Sequence, residues 1–345
     1  MKALFIEDIE KLTIREIPYP EVPKGGAILK VVSAAICGTD LKIFKFGHRR
    51  VKFPWILGHE VSGIVEEVDD PSGYYKKGDR VVLNPTVYCG ECYYCKRGMY
   101  NICLNPHSYA YEVPGGFSEY MSIEEVTIKR RELYHLSSSL DFDLASITEP
   151  FACVINGHKD IHIEPETVVA ILGAGTIGIM HAIYSKMRGA KKVFMYDINK
   201  IRADKADTFS YVDGAFFGEK EFVEALLDET LGIGPDVVIV AAPSHHAQQL
   251  AIKIVRKRGE VLFFAGLPHG EGANPIDTNL IHYKELKVFG SSNSTGLNME
   301  ASLLFISRNR RLFEPLITGK YPLKDAEHAF SSAFLPTSYK VIINP

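Results

Sequence analysis

Five apolar residues, Val168-Val169-Ala170-Ile171-Leu172, run directly into Gly173-Ala174-Gly175-Thr176-Ile177-Gly178. A G-x-G-x-x-G alone is a weak signal. Placed between an apolar strand and the opening of a helix, it constrains the fold strongly, because each glycine has a task. Gly173 permits the tight turn, Gly175 lets a pyrophosphate approach the backbone, and Gly178 lets helix pack closely on strand. The helix opening at Thr176 and Ile177 presents unpaired N–H groups and a positive dipole end to phosphates. The next strand ends at Tyr196-Asp197, roughly 20 residues on. A carboxylate there accepts hydrogen bonds from ribose hydroxyls and repels a 2′-phosphate, so NAD is favoured over NADP. Arg202 is expected over the adenine or the ribose edge. Taken without its context, the loop also suits a methyltransferase-like nucleotide fold or a purely structural turn.

From Thr167 onward the pattern alternates. Strands are predicted at Val168–Leu172, Lys192–Asp197, Gly214–Phe217, Asp236–Ala241, Glu260–Ala265 and Glu285–Gly290. Helices are predicted between most of them, for example at Ile177–Arg188 and His245–Arg256. Such alternation specifies an α/β fold with a doubly wound parallel sheet. The first ~140 residues read differently. Ala27–Ala35, Val61–Val68, Arg80–Leu83 and Phe117–Ile123 are β-rich and separated by Gly, Pro and Asp turns, which suggests a twisted, partly open barrel. Asp141–Asp160 reads as helix with a break at Pro150. After Gly290 come a helix, Leu297–Arg308, and a short tail ending in Ser338–Ile343. That tail is too small to fold alone and is expected to pack back on the first domain. At 345 residues, two domains are the default. The boundaries implied are 1–153 with 291–345 for one domain and 154–290 for the dinucleotide-binding other.

Charge and hydropathy exclude several classes. A formal net charge of −3 argues against a nucleic-acid binder. The basic runs Lys129–Arg131 and Arg308–Arg311 read as solvated faces. No apolar stretch reaches the ~18 residues of a membrane span. Glu7 and Asp8 interrupt the opening residues too early for a signal peptide. A cytoplasmic protein without membrane partners is expected, and there clustered cysteines read as metal ligands rather than disulfides.

Four of the six cysteines, Cys89, Cys92, Cys95 and Cys103, follow the spacing C-x2-C-x2-C-x7-C. Four thiolates close a tetrahedral shell around a structural zinc and leave no position for chemistry. A second set is scattered: Cys37-Gly38-Thr39-Asp40, Gly58-His59-Glu60 and Glu149-Pro150. A thiolate, an imidazole and a carboxylate bind zinc with room for water or substrate. Taken singly, Cys37 also suits a buried core thiol and His59 a hydrogen-bonded histidine.

Together these residues resemble the medium-chain zinc-dependent alcohol dehydrogenases, in the branch containing sorbitol (polyol) and threonine dehydrogenases. The resemblance spans essentially the whole chain. It rests on Cys37–Asp40, Gly58–Glu60, Gly78-Asp79-Arg80-Val81, the four-cysteine lobe, Gly115–Tyr120, Glu149-Pro150, and the glycine loop with Asp197. It implies a GroES-like catalytic domain and a Rossmann domain, with two zinc ions per chain. Cys37, His59 and Glu60 would hold the catalytic zinc. Glu149 would bind it directly or through water, with Cys153 as a competitor for that place. Thr39 would begin a proton relay, and Lys42 stands where many members carry the next relay histidine. Ile177, Asp197 and Arg202 would contact the cofactor, and Ala265-Gly266-Leu267 and Ser291-Ser292-Asn293 would line the nicotinamide. The reaction implied is reversible oxidation of a secondary alcohol to a ketone, with hydride transfer to NAD. Phe44, Phe46 and Trp55 are candidates for walling the substrate. The substrate class implied is a polyol or sugar alcohol. A threonine-type amino-alcohol dehydrogenase is the nearer alternative, and a non-catalytic NAD-binding relative the more distant one. The family usually forms dimers or tetramers, so a homo-oligomer, and specifically a homotetramer, is expected.

Overall fold

The structure, a computed structural model, describes residues 1–267 and 273–345. They fall into two compact units, Met1–Ala152 with Asn293–Pro345, and Cys153–Ser292.

The second unit is built on a six-stranded parallel sheet. Its strands lie in the order Gly214–Phe216, Lys192–Tyr196, Val168–Leu172, Val237–Val240, Glu260–Phe263 and Lys287–Gly290. Val168–Leu172 and Val237–Val240 are buried at every position, as strands covered on both faces must be. The chain leaves Val168–Leu172 toward one edge and later returns to its other side. That reversal lies beside the glycine loop and makes the crevice in which doubly wound sheets bind ligands.

The first unit carries a seven-stranded sheet. One path through it runs Ile317–Pro322, Lys340–Asn344, Ala27–Ala35, Glu60–Val68, Arg80–Leu83 and Leu133–His135, with Tyr120–Ile123 also paired to Ala27–Ala35. The tail strand Lys340–Asn344 pairs antiparallel with Ala27–Ala35, so the C-terminal segment completes the sheet begun near the N-terminus. A hairpin of Lys2–Asp8 and Lys11–Glu16 lies outside that sheet. Leu4, Ile6, Leu29, Val61, Phe117 and Phe330 are among the residues of this unit's core, all at most 1% exposed.

One expectation needs correction. Asp141–Asp160 is not one helix broken at Pro150. It is Phe142–Ser146, Thr148–Gly157 and a 3-10 turn at His158–Asp160. The interruption falls at Ile147, and Pro150 sits in the first turn of its helix, where its missing N–H would be unpaired in any case. Asp141 starts the preceding helix by accepting the Asp143 N–H at 2.8 Å. Cys37 is the N-cap of a nine-residue helix, Gly38–Phe46. Among the described residues no helix is long and apolar enough to cross a membrane.

Candidate functional site

Three strand ends of the first unit converge. Ala35 pairs with both Glu60 and Ile342, and the Ile36 N–H donates to the Val341 carbonyl at 2.9 Å. This register carries Cys37, two residues past Ala35, to His59 and Glu60. Cys37 Sγ, a ring nitrogen of His59 and a carboxylate oxygen of Glu60 lie within 4.8 Å of one another. That donor set fits a zinc ion and leaves an open coordination position.

Asp40 and Lys340 hold this cluster in place, and neither was assigned a role from sequence. Asp40 is fully buried; its Oδ2 accepts the Cys37 N–H at 2.8 Å and its Oδ1 lies 3.5 Å from His59 Nδ1. A carboxylate behind a ligating imidazole fixes ring orientation and basicity. Burial opposes charge on His59, but the charges of Asp40 and Cys37 outweigh it and hold its pKa well above the ordinary histidine value. Metal binding there therefore displaces a proton. Lys340 is 3% exposed, and its Nζ lies against both oxygens of the fully buried Glu60. Burial works against the ammonium, and the attraction of Glu60 prevails, raising the Lys340 pKa. The sequence does carry a signal for this pair. Lys340 is a lone charge opening the apolar run Val341-Ile342-Ile343, and a charge inside a buried strand needs a partner.

Thr39 is half-buried as the second residue of the helix capped by Cys37. Lys42 is exposed on that helix. Glu149 is half-buried in the first turn of Thr148–Gly157, and its charge acts on both Glu60 and Lys340. It belongs to the same electrostatic neighbourhood but not to the tight group of three. Cys153 lies on the same helix, at the start of the second unit. Phe44 turns its ring edge onto Phe330 at 5.3 Å, Phe46 is exposed, and Trp55 donates its indole N–H to the Ala110 carbonyl at 3.1 Å.

The four-cysteine lobe has a different character. Its Sγ atoms also lie within 4.8 Å of one another, with Cys89–Cys95 at 3.9 Å and Cys92–Cys103 at 4.0 Å. A tetrahedron with zinc–sulfur bonds of about 2.3 Å has edges of about 3.8 Å, so the lobe fits a closed zinc shell. Backbone N–H groups aim at the sulfurs. Leu104 and Cys95 donate to Cys92 at 3.5 Å each and pull its pKa down to about 6, while burial pushes Cys95 up to about 12. Arg130 ties the lobe down by donating to the Cys89 carbonyl at 3.0 Å and lying over the Tyr88 ring.

In the second unit the glycine loop is a preformed cradle. Gly173 has φ +113°, and a Cβ on Gly178 would stand 1.9 Å from the Gly173 carbonyl oxygen, so no side chain fits there. Above Gly175 there is open space instead, which leaves room for a pyrophosphate. Thr176 begins the helix Thr176–Met187, followed by Ile177. Asp197 Oδ2 accepts the Ala174 N–H and its Oδ1 the Asn199 N–H, both at 2.8 Å. The carboxylate is thereby fixed at the end of the second strand. Arg202 sits in the helix Lys200–Ala206, and its Nε is buried without a hydrogen-bond partner. A buried orphan in the helix that follows Asp197 fits a ligand that supplies the acceptor. The Ala265 N–H donates to the Val240 carbonyl at 3.0 Å, which anchors Ala265-Gly266-Leu267 to the sheet. Asn156 Nδ2 donates to Ser291 Oγ at 3.1 Å and to the Ser292 carbonyl at 3.3 Å. Asn293 belongs to the first unit and donates to the Asn101 carbonyl at 3.0 Å.

Comparison with known proteins agrees with this division of labour. Residues 23–131 match the alcohol dehydrogenase GroES-like domain family, and residues 176–308 match the zinc-binding dehydrogenase family. The chain is 31% identical over 358 residues to L-threonine 3-dehydrogenase of Bacillus subtilis, covering 100% of this chain and 99% of that protein. It is 28% identical over 356 residues to sorbitol dehydrogenase of the same organism, covering 100% and 97%. Among solved structures, a short chain alcohol dehydrogenase from E. coli CFT073 complexed with NADH superposes with a TM-score of 0.88 at 25% identity, covering 100% of this chain and 99% of that one. With an open Cys-His-Glu cluster, a closed four-cysteine lobe and a dinucleotide cradle all in place, the chain belongs to the medium-chain zinc-dependent alcohol dehydrogenase family, zinc-binding oxidoreductases that use a nicotinamide dinucleotide.

Proposed function

We propose that the protein oxidises a secondary hydroxyl of a polyol or sugar alcohol to a ketone, reversibly, with NAD as hydride acceptor. The observation that carries this reading is the grouping of Cys37, His59 and Glu60 within 4.8 Å, three donors of three chemical types with a position to spare. When bound, zinc lowers the pKa of an alcohol and the nicotinamide ring accepts a hydride.

The remaining roles belong to the chain itself. Cys37, His59 and Glu60 hold the metal, with Glu149 as a reserve carboxylate that binds directly or through water. Asp40 orients His59, and Lys340 pairs with Glu60, opposing the burial that raises the carboxyl's pKa. Thr39 is the first relay group for the substrate proton, which ribose hydroxyls and water carry outward, with Lys42 or His48 as the surface acceptor. Gly173, Gly175, Thr176, Ile177 and Gly178 cradle the pyrophosphate, Asp197 and Arg202 hold the adenosine half, and Ala265–Leu267 with Ser291–Asn293 line the nicotinamide. The fixed carboxylate of Asp197 favours NAD over NADP by repelling a 2′-phosphate. Cys89, Cys92, Cys95 and Cys103 hold a second, structural zinc. The family resemblance supports a cytoplasmic homo-oligomer, most simply a homotetramer, which light scattering on the purified protein checks.

Support for a polyol comes from the relation to sorbitol dehydrogenase. The higher identity to L-threonine 3-dehydrogenase favours a second reading, an amino-alcohol substrate. A panel of polyols and L-threonine, followed by NADH absorbance on zinc-loaded protein, separates the two. Turnover of L-threonine alone would overturn the polyol reading.

A further inference from the structure

Asn156 is a costly residue in its place. It lies one residue from the end of the helix Thr148–Gly157 and is 3% exposed. Asparagine is a poor helix former, and a buried amide gives up its water and needs partners in return.

Those partners are two residues far along the chain. Asn156 Nδ2 donates to Ser291 Oγ at 3.1 Å and to the Ser292 carbonyl at 3.3 Å. Both serines follow the edge strand Lys287–Gly290, whose last residue pairs with Phe263. After Ser292 the chain leaves the second unit, so no following element of that unit braces this strand end. The same helix end supports the neighbouring strand. A Cβ on Gly157 would stand 3.1 Å from Phe264 and 3.2 Å from Leu262, so the helix packs closely where Glu260–Phe263 ends, just before Ala265. His158 Nε2 lies 2.9 Å from Nδ1 of His181, which sits on the glycine-loop helix Thr176–Met187. The His181 ring in turn meets Phe264 edge-on at 4.6 Å. Asn156, Gly157 and His158 thus form one block behind the ends of the last two strands.

The place of these strands in the sheet gives the block a task. A dinucleotide lies across the carboxyl ends of a doubly wound sheet, one nucleotide on each side of the point where strand order reverses. With the adenosine on the side of Asp197, the nicotinamide falls on the side that ends in Phe263 and Gly290. A ring held there keeps its geometry only if the segments beside it are locked from behind.

We propose that Asn156 is a positioning residue for the nicotinamide half of the cofactor site. It holds Ser291 and Ser292 at the edge-strand end and leaves the adenosine half to Asp197 and the glycine loop. This deepens, and rests on, the reading that Ala265–Leu267 and Ser291–Asn293 line the nicotinamide.

Isothermal titration of zinc-loaded protein with NADH and with ADP-ribose separates the two halves, because ADP-ribose keeps the adenosine and pyrophosphate and lacks the nicotinamide. Asn156→Ala removes both donated bonds. It is expected to raise the Kd of NADH by about 5- to 30-fold and to leave that of ADP-ribose within about twofold. Equal weakening of both ligands would mean general damage to the fold, and unchanged binding of both would mean that the bonds position nothing; either result overturns the role. If Asn156→Ala fails to fold, Asn156→Asp decides, since it keeps the shape and loses the amide N–H groups. The same selective loss is expected, and an unchanged Kd for NADH overturns the proposal. Wild-type protein that binds ADP-ribose as tightly as NADH removes the nicotinamide-lining reading and this inference with it. Wild type that prefers NADH, beside an Asn156→Ala that prefers it equally, removes this inference alone.

Discussion

The two candidate metal centres are built in opposite ways. The four-cysteine lobe takes all its donors from residues 89–103, uses one donor type, and is only partly buried. The other takes Cys37, His59 and Glu60 from separate strand ends, mixes three donor types, and lies beside a buried Asp40 and a buried Lys340. The first needs only a loop whose backbone N–H groups turn toward sulfur. The second needs a folded sheet to exist at all. A local site can therefore stiffen a lobe, whereas a site assembled by long-range register can hold an open, charged and desolvated arrangement suited to catalysis.

The sharpest way to break this comparison is to remove one donor from each centre. Cys37→Ser should reduce turnover to near background while secondary structure and melting temperature stay close to wild type, as circular dichroism will report. Cys95→Ser should do the reverse, lowering the melting temperature by several degrees, because a structural metal contributes folding free energy. Equal thermal losses from both would erase the distinction.

Next in size is the charge pair behind the open site. Lys340→Met leaves the buried Glu60 carboxyl without its partner, where burial already raises its pKa, and breaking such a pair costs about 3–5 kcal/mol. Urea denaturation measures this, and Glu60→Gln/Lys340→Met should recover part of the loss. A smaller effect concerns the other unit. Asp197→Ser should shift the ratio of kcat/KM for NAD over NADP by roughly 10-fold or more toward NADP, and an unchanged ratio would argue against its ribose role.

The smallest effect is a pH dependence. His158 Nε2 and His181 Nδ1 lie 2.9 Å apart, fully packed inside the second unit. Burial lowers both, His181 to about 3 and His158 well below its ordinary value. The unfolded chain binds protons to these rings below about pH 6.5 while the folded one does not. Stability contributed by keeping them neutral is full above pH 6.5 and is lost as pH falls toward 3. Melting temperature against pH should fall less steeply over that range in His158→Leu/His181→Leu than in wild type.

Much of the fold was legible because it rests on local signals. Gly and Pro turns delimit Ala27–Ala35 and Arg80–Leu83, and the apolar run before Gly173 ends where the strand ends. The glycine loop was readable for the same reason. Pro150 misled because a proline breaks a helix interior but fits its first turn. The helix Gly38–Phe46 was missed because its cap is a cysteine, an unusual N-cap residue. The open site was legible only through combined motifs, since 280 residues separate Lys340 from Glu60 and no spacing rule spans that interval.

The central claim is that one chain carries one closed and one open zinc site, and metal analysis tests it most directly. Purified wild type should contain about two zinc ions per chain, and Cys37→Ser about one. A Cys37→Ser protein that retains as much zinc as wild type would contradict the assignment of Cys37, His59 and Glu60 as the open centre.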